Sequence, residues 1–229
     1  MKHFYSLFLI LTLPLTVISQ RRGDTPGSMI TGWRISTNIM SLYEPDAGPA
    51  LAVEYRPDKS WSVLLEGAWI CYDLKDVYDL RGEYTPMAKG LRLRPEVRYY
   101  MPGKKRKNYV FFFSQELMYK RVNFLEERIV PRGGNTSGNF DYEQLTPYKK
   151  TKQLFGTAGK FGFQRFVDRP HHVFIELYFG IGLKYRTSSY KEQPPASSYL
   201  EDNDKYSWEV RNDGWLLYTP LGFKVGYRF

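Results

Sequence analysis

The chain has 229 residues, enough for one domain of ordinary size, and it combines a formal net charge of +9 with a mean hydropathy of −0.48. No segment after the N-terminus has the roughly eighteen consecutive apolar residues of a spanning helix, which excludes a helical membrane protein. The basic residues alternate with apolar ones instead of forming one patch, and this argues against nucleic acid as a partner.

The first 19 residues have the parts of a secretory signal peptide. Lys2 precedes an apolar run over residues 4–17, and residues 17–19 are small or of modest size, as is usual before a cleavage site. We therefore predict a signal peptide over 1–19, a periplasmic lead-in over 20–28 and one folded domain over 29–229. The single cysteine, Cys71, can form no internal disulfide and is interpreted as an apolar wall residue.

Eight segments with a period of two follow in chain order, separated by turn signals. Their predicted bounds are 29–40, 50–56, 61–71, 91–101, 109–123, 152–167, 173–186 and 215–229. Pro95 lies within the fourth segment and predicts a local bulge, because proline removes a hydrogen bond from the ladder.

The predicted connections alternate in length along the chain. Those after the second, fourth and sixth segments are tight turns, whereas loops over about 73–89, 126–150 and 188–214 follow the third, fifth and seventh. Outer-membrane barrels show the same asymmetry between short periplasmic turns and longer outer loops. An even strand number puts both termini and all tight turns on one side. We therefore predict an all-β, eight-stranded, antiparallel, up-and-down transmembrane β-barrel.

One face of the predicted strands collects charged residues, while the other is apolar and rich in aromatic side chains. We expect the charged face to point inward as an interior charge network of Arg34, Glu54, Glu66, Arg92, Arg94, Glu96, Arg98, Glu116, Lys120, Lys160, Glu176, Lys184 and Lys224. Eight strands enclose only enough space for side chains, so these charges must pair. Structural pairing is the preferred interpretation, and a gate or proton path is the alternative.

The last segment ends on an aromatic residue at the chain terminus. Gly222, Val225, Tyr227 and Phe229 resemble the C-terminal signal of bacterial outer-membrane barrels, a glycine followed by alternating apolar residues and a final Phe. This resemblance implies recognition by the barrel-insertion machinery.

Three segments, 59–63, 93–100 and 221–229, carry a wider resemblance. Together with the strand layout, they make the chain similar to the small outer-membrane β-barrel proteins of Bacteroidota, which resemble the OmpA and OmpX barrels in build. The resemblance implies a cell outer-membrane location, in contact with outer-membrane lipids and lipopolysaccharide. It implies no activity, because none is assigned to the family.

Residue types for catalysis or metal binding are scarce. The exported chain retains only His171 and His172, side by side in a predicted turn, and no Cys, His or carboxylate cluster nearby has ligand spacing. The serines of the loop over 188–214 have no histidine to activate them. We therefore expect no enzymatic activity, no cofactor and no metal.

The expected function is a non-enzymatic role in envelope structure, or in binding a protein partner through the outer loops. The loop over 188–214 is the candidate partner surface, because it contains Trp208 and several tyrosines beside acidic residues. One alternative is a small barrel enzyme that modifies lipid A or phospholipid. A soluble lipocalin-like ligand carrier is the other, although it would need an apolar interior and a polar exterior.

Overall fold

The computed structural model describes residues 31–44, 46–71, 88–101, 109–134, 140–167, 172–199 and 213–229. The predicted signal peptide and lead-in lie outside these ranges, as do most of the predicted loop over 73–89 and Trp208. The described residues contain no helix with the length and apolar character that a membrane crossing needs.

The described chain is almost entirely β-strand, as the sequence predicts. In chain order its elements are β1 (Gly32–Asn38), the 3₁₀ helix η1 (Ile39–Leu42), β2 (Ala50–Arg56), β3 (Trp61–Ile70), β4 (Lys89–Tyr100), β5 (Tyr109–Gly134), β6 (Phe140–Phe166), β7 (Val173–Tyr190), β8 (Gly214–Tyr218) and β9 (Leu221–Arg228). The first predicted segment is therefore shorter than expected, since the chain leaves the sheet at Ile39, and the seventh is longer.

The strands form one antiparallel sheet that closes in a ring. Each strand from β1 to β7 pairs with the next, β7 also pairs with β9, and β9 returns to β1. β8 and β9 follow one another along the same edge of β7. The described sheet thus has nine strands instead of eight. The predicted last strand is interrupted at Thr219 and Pro220, because proline has no N–H to donate to a ladder.

Side chains alternate between the outside and the inside of the ring with the period of two that strand geometry dictates. In β2, Leu51, Val53 and Tyr55 are exposed, whereas the side chains between them are buried. Aromatic rings fill the interior where a neighbouring strand has glycine. Phe112 lies against Gly162 and Tyr178 against Gly222, so closely that a Cβ at either glycine would overlap the ring.

The predicted bulge at Pro95 is wrong. Leu93 lies opposite Tyr119 and Glu96 lies opposite Glu116, so the register between β4 and β5 is the same on both sides of the proline. The missing N–H removes a hydrogen bond, but it requires no extra residue in the strand.

The predicted loop over 126–150 is also wrong, because residues 126–134 continue β5 and residues 140–150 belong to β6. The two strands stay paired without a change of register up to Gly134 opposite Phe140. β4 pairs with β5 only as far as Asn123, and β7 pairs with β6 only as far as Lys150. Residues 124–134 and 140–149 therefore form a two-stranded extension, here called the ribbon, that projects from one end of the ring. We call this end the ribbon end.

Candidate functional site

Arg98 lies at the centre of the ring and has no exposed surface. Its Nη1 and Nη2 donate to the two carboxylate oxygens of Glu176 at 2.7 and 2.9 Å, and its Nε donates to Glu96 at 2.7 Å. Glu54 lies 3.6 Å from Nη1. Because the planar guanidinium matches a carboxylate with two parallel hydrogen bonds, Arg98 ties β4 to the opposite wall of the ring at β7.

A second ion cluster surrounds Lys160, whose Nζ contacts Glu96 and also Glu116 at 2.8 Å. The hydroxyl of Tyr218 donates to the other oxygen of Glu116 at 2.8 Å. The ammonium of Lys160 lies 4.4 Å from the centroid of the Tyr178 ring, a favourable cation–π distance. Each buried charge in this cluster therefore has an opposite charge and a further polar or aromatic contact.

At the end of the ring opposite the ribbon end, which we call the termini end because β1 begins and β9 ends there, Arg34 pairs with Glu54 at 3.9 Å and donates to Gln164 at 3.0 Å. Tyr100 donates its hydroxyl to the same Glu54 at 2.5 Å. Two strands, β1 and β4, thus supply partners to one carboxylate that is 3% exposed.

Glu44 and Asp46, in the connection between β1 and β2, enter the network from outside the strands. Glu44 accepts hydrogen bonds from Arg92 and from Arg94, and Arg94 also donates to Glu66 at 3.2 Å. Asp46 has a left-handed backbone, with φ of 53°, which Asp tolerates better than most residues. Neither acid was predicted to belong to the network, because neither lies in an alternating segment.

Asp46 lies between two lysines, 2.9 Å from the Nζ of Lys120 and 2.8 Å from that of Lys152. Burial alone would raise the pKa of Asp46, but the two ammonium groups and their hydrogen bonds lower it to about 2.

The structure buries every residue of the predicted interior charge network except one. Lys184 is half-buried, and its Nζ lies 5.9 Å from the ring centroid of Tyr218. The network also includes neutral inward residues, which the prediction of a charged interior did not cover. These are Asn38, Tyr100, Gln164, Tyr178 and Tyr218. Their even-numbered positions, which face inward in the alternating pattern, could have identified them.

A further cluster at the base of the ribbon was not predicted. Glu126 accepts hydrogen bonds from Lys150 at 2.6 Å, from Arg128 at 3.2 Å and from the hydroxyl of Tyr190. Burial raises the pKa of Glu126, but the hydrogen bonds from Lys150 and Tyr190 outweigh it, so the net shift is downward. This cluster fixes the ribbon to β7.

The four residues of the predicted C-terminal signal occupy different environments. Gly222 faces inward against Tyr178, and Val225 is partly buried. Tyr227 stacks on His172 with 5.4 Å between ring centroids, and Phe229 is 68% exposed. Their role in insertion stays a prediction.

The outside of the ring is covered by large apolar side chains on all nine strands. We call this set the outer belt: Trp33, Ile35, Leu51, Val53, Tyr55, Val63, Leu65, Trp69, Leu91, Val97, Tyr99, Phe111, Phe113, Leu117, Phe155, Val173, Leu177, Phe179, Ile181, Leu183, Tyr185, Trp215, Leu217, Leu221 and Tyr227. Each is at least 36% exposed, the reverse of the usual arrangement of a globular core.

Metal-binding groups are not assembled in the part of the chain that the structure describes. No three His, Cys, Asp or Glu side chains there could hold a metal ion. His172 lies at the termini end of the ring, where its Nδ1 is 2.9 Å from the carbonyl oxygen of Arg228.

Comparisons of the chain with protein-family models, with curated proteins and with solved structures give no match. The resemblance to the small Bacteroidota barrels therefore stays a prediction from the three segments that carry it.

Proposed function

We propose that the protein is an integral outer-membrane β-barrel without enzymatic activity, which contributes to envelope structure and presents its ribbon and outer loops to a protein partner. The observation that carries this proposal is the inverted arrangement of the ring, with the charges inside and the outer belt exposed. Because β8 and β9 share one place beside β7, the nine strands form a ring that is eight strands wide. A ring of this size with an interior filled by side chains is expected of the smallest membrane barrels.

The dimensions of the outer belt support a membrane location. On β7 the exposed apolar positions run from 173 to 185, about 40 Å along the strand at about 3.3 Å per residue. A strand tilt near 40° converts this length to a height of about 30 Å, close to the roughly 25 Å apolar band of outer-membrane barrels.

A water-soluble carrier fits this arrangement poorly. Soluble monomers rarely expose contiguous apolar patches above a few hundred Å², whereas the outer belt surrounds the whole ring. A lipocalin-like carrier would also need an apolar interior for its ligand, and the interior here contains Arg98 and its carboxylate partners.

The ribbon supports the partner-binding part of the proposal. Phe140, Tyr142 and Leu145 are exposed on it by 56, 60 and 52%. Among the described residues, 140–148 of β6 pair only with β5, so the other edge of this segment carries backbone donors and acceptors without a ladder partner. Such an edge can accept a strand from another protein.

The test compares one lysine in the outer belt with one on the ribbon. We expect Leu177→Lys to impair membrane assembly, because a lysine facing the middle of the bilayer costs about 2–4 kcal/mol. Tyr142→Lys removes a similarly exposed apolar side chain, yet it should assemble normally. The measurement is gel mobility of the outer-membrane fraction with and without boiling, since folded membrane barrels migrate differently from the heated chain.

Normal recovery of both variants from the soluble periplasm, without a heat-dependent shift, would refute the membrane proposal. A soluble fold tolerates a lysine at an exposed position, so Leu177→Lys would then be neutral or would improve solubility.

A further inference from the structure

A polar patch interrupts the outer belt on the neighbouring strands β5 and β6. Gln115 of β5 and Thr157 of β6 face outward like the belt residues on either side of them, and both are exposed. The Nε2 of Gln115 donates a hydrogen bond to the Oγ1 of Thr157 at 2.6 Å. The other outward side chains of β5 between positions 109 and 119 are aliphatic or aromatic. A primary amide therefore lies within an otherwise apolar row.

The row begins and ends with a tyrosine. Tyr109 and Tyr119 lie ten residues apart on β5, about 33 Å along the strand at about 3.3 Å per residue. A strand tilt near 40° converts this length to a height of about 25 Å, the height of the apolar band of outer-membrane barrels. Because tyrosines collect at both membrane–water interfaces, the proposed membrane location puts Gln115 inside the hydrocarbon.

The amide of Gln115 keeps hydrogen-bonding capacity that the described residues do not use. The hydroxyl of Thr157 accepts from Gln115 and also donates to the carbonyl oxygen of Glu116 at 3.0 Å, so it is satisfied. Gln115 has a second N–H and a carbonyl oxygen, and no described residue supplies a partner to either. Polar groups without a partner are costly in hydrocarbon, where water cannot solvate them.

The surroundings of this amide leave room for another molecule. Gly159 lies directly opposite it on β6, and a Cβ built on this glycine would meet nothing within 4 Å. Tyr119 and Phe155 pack together on the ribbon-end side, with 4.9 Å between their ring centroids. Phe113 and Phe161 do the same on the termini-end side at 5.1 Å. The amide thus lies in a shallow recess between two aromatic pairs.

The charge distribution of a primary amide is complementary to itself. Its N–H carries partial positive charge and its carbonyl oxygen partial negative charge, so a second amide related by a two-fold rotation matches both. Two copies inserted in the same orientation can be related by a two-fold axis along the membrane normal. An acyl chain, in contrast, offers neither a donor nor an acceptor.

We infer that a second copy of this chain binds here, in a symmetric dimer whose two Gln115 amides form reciprocal hydrogen bonds. The interface is the outward side of β5 and β6 around Gln115, Thr157 and Gly159, which we call the amide face. Polar side chains and small residues that permit close approach hold membrane-spanning segments together in the same way. This inference rests on the proposed membrane location.

Sedimentation equilibrium of the detergent-folded protein, at several ratios of protein to detergent, measures the dimerisation constant. Gln115→Met keeps a side chain of similar length without the amide. It should weaken dimerisation by about tenfold, or about 1.4 kcal/mol, as expected for two hydrogen bonds in apolar surroundings. Because methionine is apolar, this variant should fold at least as well as wild type. Thr37→Val removes an outward polar side chain from β1, outside the amide face, and should leave the constant unchanged.

Photocrosslinking in intact cells tests the same interface without detergent. Leu117 is exposed on β5, two residues beyond Gln115. A photoreactive phenylalanine at position 117 should give an adduct of two copies, identified by its mass. Val53 on β2 is the matched control, because it also belongs to the outer belt but lies three strands away around the ring. The same photoreactive residue at position 53 should give no such adduct.

The outcomes separate this inference from the proposed function. Only protein that shows the heat-dependent gel shift enters either experiment, so failure to fold as a membrane barrel counts against the proposed function. A wild type that stays monomeric, an unchanged constant for Gln115→Met, or equal adducts from positions 117 and 53 would refute the dimer. Adducts of position 117 with a different protein alone would refute a second copy in favour of another membrane partner.

Discussion

The centre of the ring and the ribbon are built from the same two strands, yet their polar side chains are in opposite environments. In the ring, β5 and β6 contribute Glu116 and Lys160, which are 1 and 3% exposed and 2.8 Å apart. In the ribbon, the corresponding contact is a 3.1 Å hydrogen bond from Arg132 to Gln144, both exposed. The backbone ladder continues through both regions without a change of register.

This difference shows that strand pairing alone does not determine how much a polar contact contributes to the free energy of unfolding. An exposed polar contact adds at most about 1 kcal/mol, because water solvates both groups when they separate. Breaking a buried pair costs about 3–5 kcal/mol, because the remaining charge has no water to solvate it. Three predictions test this difference, beginning with the interior of the ring and ending with the ribbon.

The largest effect is expected from Arg98→Ala. The substitution leaves Glu54, Glu96 and Glu176 without their shared cation, and we expect a loss of about 3–5 kcal/mol in the free energy of unfolding. Arg98→Lys should lose less, because it keeps the charge but not the paired hydrogen bonds. Urea unfolding in detergent micelles, followed by the heat-dependent gel shift, measures both.

The matched control for Arg98 is Arg132→Ala on the ribbon, with an expected change within about 0.5 kcal/mol. If the two alanine variants lost equal stability, the distinction between the buried network and the exposed ribbon would be wrong.

An intermediate effect is expected from Asp46→Asn, at the mouth of the ring. The pKa of Asp46, lowered to about 2, lies below its ordinary value of 3.8, so the ionised carboxylate stabilises the folded state above about pH 4. That contribution disappears as the pH falls from about 4 to 2. At neutral pH the variant should lose on the order of 2 kcal/mol.

The check on Asp46 is the unfolding free energy of wild type and variant between pH 7 and pH 2. The difference between them should narrow below about pH 4. Asp141→Asn, an exposed change on the ribbon, should give a small difference at every pH. A gap between wild type and Asp46→Asn that did not depend on pH would contradict the assigned lysine contacts.

The smallest effect on stability is expected from shortening the ribbon. Replacing residues 131–143 with Asn-Gly joins Val130, which is buried, to its ladder partner Gln144 through a two-residue hairpin turn. The bridge between Ile129 and Tyr199 is retained. We expect the heat-dependent shift to persist and the unfolding free energy to change by less than about 1 kcal/mol.

Crosslinking from the ribbon in intact cells then tests its function. We expect a partner protein to crosslink to position 142 of the full chain. The same partner should not crosslink to the other outer loops of the shortened protein, because the ribbon that binds it has been removed. If shortening abolished the gel shift, the ribbon would be part of the folded ring and not a separate projection.

The sequence by itself determined the all-β class, the bounds of most ring strands and which side chains face inward. Alternation with a period of two carries this information, because the inside and the outside of the ring impose opposite requirements on neighbouring residues. The β6 half of the ribbon lacked this signal, since residues 140–145 are all exposed, and the ribbon was predicted to be a loop.

Only the tertiary structure decided which charges meet. Arg98 and Glu176 are 78 positions apart, and closure of the ring brings them together across its interior. Glu44 and Asp46 come from a connection whose path no periodic pattern describes. Alternation specifies the face of a residue but not its partner across a closed sheet, because that partner depends on register and curvature.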